Sequence, residues 1–138
     1  MSEPILKIEN LHKWFPVRRT IIQLLKGEHV WVKAVDGITF KINQGEIFGL
    51  VGESGCGKTT TGKLLMKLLE PTGGKIIFKG KDVTHLEESK IKKYRRNVQM
   101  VFQDPYASMN PRFRAWDVLE EPLIIHQVGE TRAEREKI

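Results

Sequence analysis

Residues 52–59 read Gly52-Glu53-Ser54-Gly55-Cys56-Gly57-Lys58-Thr59 and satisfy every fixed position of the spacing G-x-x-x-x-G-K-[ST]. The chemistry open to such a segment is holding a chain of phosphates. Gly52, Gly55 and Gly57 let the backbone turn and approach a ligand with no Cβ in the way. Successive N–H groups then converge on one anion, and the positive end of a following helix adds to their field. Lys58 brings a point charge to the β- and γ-phosphates, and the Thr59 hydroxyl is placed to ligate Mg2+. The binding segment is completed by Glu53, Ser54, Cys56 and Thr60. Cys56 is the single cysteine, so it makes no internal disulfide, and it reads as a small side chain at a tight position rather than a redox group.

Such a loop needs a strand to deliver it and a helix to receive it. Glu46-Ile47-Phe48-Gly49-Leu50-Val51 is a short apolar run with the length of a buried strand. Behind the loop, Leu64, Leu65, Leu68 and Leu69 recur at helical spacing until Pro71 closes the segment. Upstream, residues 5–11 predict a strand leading to Trp14-Phe15-Pro16, and residues 17–27 a loop or short helix. Residues 32–42 predict a strand region interrupted at Asp36-Gly37 by a turn or bulge. Downstream come a strand at 75–78, a hairpin turn at 79–82, a polar helix at 86–94 and a strand at 98–102. Residues 116–127 have helical patterning with Pro122 as a break, and Thr131 with Glu134 marks a final helix start.

The 138 residues, 40% hydrophobic and 29% charged, describe a globular chain with one real core. No apolar stretch approaches the ~18 residues needed to span a bilayer, and Met1-Ser2-Glu3-Pro4 has neither the basic head nor the apolar core of a signal peptide. The net charge of +6 raises a nucleic-acid reading. Its cations, however, gather in Lys90, Lys92, Lys93, Arg95 and Arg96 behind Glu87 and Glu88, the pattern of a solvated helix face. His12, His29, His85 and His126 lack metal-ligand spacing, so no zinc site is expected.

Two further positions bear on nucleotide chemistry. Gln103, at the end of the 98–102 strand, could offer its amide oxygen to Mg2+ or to an attacking water. The alternative makes residues 98–104 a Walker B strand with Asp104 as the magnesium carboxylate, but Gln99 and Gln103 interrupt the apolar run it needs. Trp14 or Phe15 could stack on a purine ring, or be an ordinary strand-end aromatic.

The phosphate loop, the block Val101-Phe102-Gln103-Asp104-Pro105-Tyr106-Ala107-Ser108-Met109-Asn110-Pro111-Arg112 and the block Ala34-Val35-Asp36-Gly37-Ile38-Thr39-Phe40 together resemble an ABC transporter ATPase subunit. The Asp-Pro-Tyr-Ala-Ser-x-Asn-Pro-Arg continuation and the long insertion between Phe15 and Lys33 narrow the resemblance to the oligopeptide and dipeptide importers. It implies an α/β fold: a P-loop NTPase core of the ABC nucleotide-binding type with an antiparallel β segment and the start of a helical subdomain, incomplete. Residues 1–103 would be the ATP-binding core and 104–138 the beginning of a helical, permease-facing subdomain.

By the same resemblance, Phe15 takes the adenine-stacking position, and Gln103 is the Q-loop glutamine that touches Mg2+ and senses the γ-phosphate. ATP and Mg2+ are the implied cofactors. The implied partners are membrane permease subunits through the region after Gln103, a second ATP-binding subunit and, indirectly, an extracellular solute-binding protein. The place is the cytoplasmic side of the cell membrane, peripherally bound. Nothing in the chain matches the Leu-Ser-Gly-Gly-Gln signature, the Walker B strand with its catalytic Glu, or the switch His. The chain therefore resembles the N-terminal portion of a longer subunit, expected to bind ATP and hydrolyse it little or not at all by itself. The competing expectation is an ABC-type, nucleic-acid-associated ATPase; a GTPase would need an Asn-Lys-x-Asp motif, which the sequence lacks.

Overall fold

A computed structural model describes residues 3–17, 30–103 and 110–138. These fall into two compact units, Met1–Glu87 and Glu88–Ile138, each described by itself.

The first unit is built on a four-stranded antiparallel sheet in the order β2-β1-β3-β4. The strands are β1 Leu6–Pro16, β2 Trp31–Ile42, β3 Gly73–Phe78 and β4 Lys81–Asp82. Ile8 and Leu11 of β1, Val35 of β2 and Ile76 of β3 are buried, together with Leu64 of the helix α1, Lys58–Leu65, and Val83. Ile8, Leu11, Leu64 and Ile76 are each fully enclosed, a burial that contributes roughly 1.5–3 kcal/mol per side chain.

Register is where β1 and β2 carry their information. Three irregularities interrupt the pairing. Between Ile8↔Phe40 and Leu11↔Ile38 the extra residue lies on β1, at Asn10, whose φ of 45° is left-handed and whose amide donates to Thr39 Oγ1 at 2.9 Å. Between Leu11↔Ile38 and His12↔Asp36 it is Gly37, with φ 78°. Between Lys13↔Val35 and Trp14↔Lys33 it is Ala34. The expected interruption at Asp36-Gly37 is thus a bulge inside a continuous strand, of the kind that bends a strand and re-aims its groups. At the other edge, Lys79 and Gly80 both have positive φ, which is what a two-residue hairpin turn of matching twist requires.

Helix α1 ends earlier than the leucine spacing predicts. Leu68 N donates to Lys63 O at 2.9 Å and Lys67 N to Leu64 O at 3.1 Å, the paired bonds of a Schellman stop, with Lys67 at φ 56° in the position glycine usually holds. Leu68 therefore lies beyond the helix and is exposed. A larger correction concerns residues 46–51. They form no strand: Ile47 is 99% and Val51 94% exposed. A strand exists only through its neighbours' hydrogen bonds, and among the described residues none pairs with this run.

Among its described residues the second unit holds three helices: α2 Glu88–Asn97, α3 Ala115–Ile125 and α4 Arg132–Arg135. Pro122 lies inside α3 without breaking it. Thr131 Oγ1 caps α4 by accepting from Glu134 N at 3.3 Å, while Glu134 Oε2 accepts from Glu130 N rather than from the cap residue. The strand expected at 98–102 is absent: the backbone is irregular, and Val101 is 90% exposed for the same want of a partner. The 17–27 insertion falls largely, and residues 104–109 wholly, outside the described residues.

Candidate functional site

Gly57 is the hinge of the loop. It caps α1 with φ 97°, a left-handed conformation that a Cβ would strain, and a Cβ there would also collide with the Ala34 carbonyl oxygen. Gly55 is left-handed as well, at φ 82°. No side chain caps α1, and no acidic residue occupies its first turn. The N–H groups of Lys58, Thr59 and Thr60 therefore have no intrahelical acceptor, and they gather at the positive end of the helix dipole. The carbonyl of Gly57 is held from behind, by Thr61 N at 2.8 Å and by the Thr61 hydroxyl at 3.0 Å.

Lys58 closes the loop upon itself. Its ammonium donates to Gly52 O at 2.6 Å and Glu53 O at 2.7 Å, with Cys56 Sγ at 3.5 Å. The bonds curl residues 52–58 into a ring closed by an ammonium, whose carbonyl acceptors an anion can replace. The Thr59 side chain is exposed on the same turn, with no side-chain hydrogen bond to the other described residues. This donor set suits a polyphosphate: backbone amides, one ammonium and one hydroxyl that can take Mg2+ in company with phosphate oxygens.

A groove of about 310 Å³ runs beside the loop, lined by Lys33, Ala34, Asp36, Leu50, Cys56 and Lys58 among others. Asp36, like Lys58, makes three polar contacts there. It accepts from Trp14 Nε1 at 3.0 Å and Lys33 Nζ at 3.2 Å, and lies 3.1 Å from His12 Nδ1. Desolvation opposes its charge, but the hydrogen bonds from Lys33, His12 and Trp14 together outweigh that and hold its carboxyl below the usual range. Lys33 also sits over the Trp14 ring at 4.8 Å.

The structure brings residues 52–60 together. Phe15, on β1 opposite Val32, is half-buried under the Lys13 ammonium at 5.1 Å and does not line the groove beside the loop. Gln103 is exposed on irregular backbone in the second unit. Three contributors went unread in the sequence: Thr61, which reads as one more helix residue, and Ala34 and Asp36, whose roles depend on strand register. The signals were the Asp36-Gly37 pair inside a strand pattern and the Ala34–Phe40 block that carries the family resemblance.

Residues 35–138 match the family model described as ABC transporter. The chain belongs to the ABC transporter family. As an ABC chain it is 45% identical over 138 residues to the oligopeptide transport ATP-binding protein AppF of Bacillus subtilis, covering 99% of this chain and 41% of that protein. It is 44% identical over 137 residues to OppF of the same organism, covering 98% and 41%. The glutathione import ATP-binding protein GsiA of Escherichia coli is 44% identical over 125 residues, which are 91% of this chain and 20% of that one. The chain thus spans less than half the length of the curated relatives it matches. Among solved structures, cbiO1 of Clostridium perfringens, part of an ABC transporter complex, superposes with a TM-score of 0.69 at 25% identity, over 99% of this chain and 47% of that one. A dimeric ATP-binding cassette bound to ADP and Pi gives 0.71 at 24% identity over 96% and 53%, a likeness of fold. These matches agree with the α/β P-loop class, and none favours the nucleic-acid alternative.

Proposed function

We propose that this chain is the nucleotide-binding part of an ABC importer subunit, that it holds Mg-ATP through residues 52–60, and that the intact subunit serves peptide uptake. The observation that carries the reading is the bare N-terminus of α1. A left-handed glycine, three amides with no acceptor inside the helix and a lysine folded over the loop adjoin there. A triphosphate replaces the loop carbonyls as the partner of Lys58. Thr59 would hold Mg2+, which supplies charge neutralisation between the β- and γ-phosphates. The family resemblance implies that Gln103 would serve as a further Mg2+ ligand and that Phe15 would stack on the adenine in the intact subunit. The names of the relatives AppF and OppF support peptides as the cargo.

The second unit supports a reading of the partners. Phe113, Leu119, Ile124 and Ile125 are all exposed, and Phe113, Ile124 and Ile125 line a groove of about 470 Å³ with Asp117, Glu120 and Glu121. An apolar groove with an acidic rim supports docking of a permease helix on this face at the cytoplasmic side of the membrane. A second ATP-binding subunit would complete the catalytic site, and a solute-binding protein would act at one remove. No described helix is long and apolar enough to cross a membrane.

Calorimetric titration of the 138-residue chain with Mg-ATP tests the reading. Saturable binding is expected, weakened at least about a hundredfold by Lys58→Ala, since a charge-assisted phosphate contact in a loop is worth several kcal/mol. Steady-state phosphate release by the chain alone should be close to background. Binding untouched by Lys58→Ala would sink the site; full turnover abolished by that substitution would sink the claim that the chain alone is a binder.

A further inference from the structure

The block 34–40 is the one motif whose chemistry the nucleotide site leaves unexplained. Asp36 of β2 ties together His12 and Trp14 of β1 and Lys33 of its own strand through three contacts of 3.0–3.2 Å. Asn10 Oδ1 holds the far side of the His12 ring at 3.2 Å, and the His12 and Trp14 rings meet edge to face, 5.6 Å apart. This cluster spans the interval where β1 and β2 lose and regain register. The residue left over in that interval is Ala34. Its carbonyl oxygen lies against Gly57, close enough that no Cβ would fit between them.

We infer that Asp36 is a positioning residue of the phosphate loop, acting through the Ala34 bulge that it locks between Lys33 and Val35. A bulge can slide by one residue along its strand unless something fixes it. Lys33 on one side of Ala34 and Asp36 on the other are joined by an ion pair at 3.2 Å, and Asp36 is joined to two side chains of the facing strand. With the bulge fixed, the Ala34 carbonyl stands as a backstop behind Gly57. The left-handed turn there, the start of α1 and the reach of Lys58 are then set together. Without it, the loop retains its residues and loses its curvature. In this inference Asp36 acts through the bulge and is not one of the groups that would hold phosphate. The inference rests on the reading that residues 52–60 hold a triphosphate.

The experiment compares Mg-ATP affinity of the full chain with that of Asp36→Asn, Lys33→Gln, Lys33→Arg and Lys58→Ala, alongside thermal midpoints and amide spectra. Asp36→Asn and Lys33→Gln should each weaken binding about five- to tenfold, the range in which residues remote from a ligand modulate its site. Lys33→Arg, which keeps the ion pair, should bind as the unaltered chain does. The Gly57 and Lys58 amides should shift in Asp36→Asn while those of Ile77 and Phe78 on β3 stay in place. Unchanged affinity in Asp36→Asn, with Lys58→Ala inactive in binding, overturns the inference and leaves the loop reading standing. Weakening that Lys33→Arg does not avoid, accompanied by shifts throughout the sheet, also overturns it, because that marks general loosening. Unchanged binding in Lys58→Ala overturns the loop reading itself.

Discussion

Asp82 and Asp36 show how single carboxylates hold the sheet of the first unit. Asp82 is bonded by Thr84, whose amide donates to Oδ1 at 2.8 Å, and these bonds hold its carboxyl below the ordinary value of 3.8. Asp36 is depressed by its three donors against the cost of desolvation. A carboxyl whose pKa is lower folded than unfolded stabilises the fold above its unfolded pKa, and that contribution disappears as pH falls through the folded value. The first unit should therefore lose stability as pH drops below about 4, the ordinary aspartate range. The melting temperature should be lower at pH 3 than at pH 6, and Asp82→Asn should reduce the difference. Lys67 is a different case. Its ammonium is buried and donates to Thr84 O at 2.8 Å, while burial pushes its pKa down against the pull of Glu70 and Asp82. Sequence alone shows a lysine in a helical run; only the helix stop at residue 67 turns it inward.

Among the elements, α3 and α4 are joined by side chains at long sequence separation. Arg135 Nε donates to Glu120 Oε1 at 3.0 Å, both side chains being about 15% exposed, and Trp116 Nε1 donates to the other oxygen of Glu120 at 3.1 Å. Arg135 also reaches the Gly129 carbonyl at 3.0 Å. An exposed ion pair contributes below ~1 kcal/mol, and breaking a buried one costs roughly 3–5. This pair lies between, so Arg135→Ala should destabilise the second unit by about 2 kcal/mol. Urea melts followed by Trp116 fluorescence in a Trp14→Phe/Trp31→Phe background would measure it, and a loss below about 0.5 kcal/mol would show the pair to be solvent-screened. The helices themselves were legible: α3 from its apolar spacing, and the Thr131 cap from the residue type and the glutamate three positions on. Their connection was not, because nothing local pairs residue 120 with residue 135.

At the scale of the whole molecule, the decisive fact is which apolar runs have no strand partner among the described residues. Ile47, Val51 and Val101 are at least 90% exposed, and Phe48, Leu50 and Phe102 are each 40% exposed or more. Both runs have strand composition and neither is in a sheet. Isolated apolar runs with open backbone groups recruit one another. The 138-residue chain should accordingly self-associate as its concentration rises and bind a hydrophobic dye. Light scattering behind a sizing column would check it, with Ile47→Asp/Val51→Asp expected to shift the chain toward monomer. A monodisperse monomer at high concentration, with a sharp and high melting transition, would contradict the expectation.

The sequence by itself determined the phosphate loop, since its function is carried by residue types at fixed spacing: glycines where a Cβ is excluded, a lysine, a hydroxyl and a helix start. It determined the helices and the hairpin turn for the same local reason. Tertiary structure decided where β1 and β2 slip past one another, that Ala34 stands behind Gly57, that Asp36 gathers partners from both strands, and that the runs at 46–51 and 98–102 form no sheet. Strand register and strand pairing are relations between distant segments, and no stretch of chain records them alone.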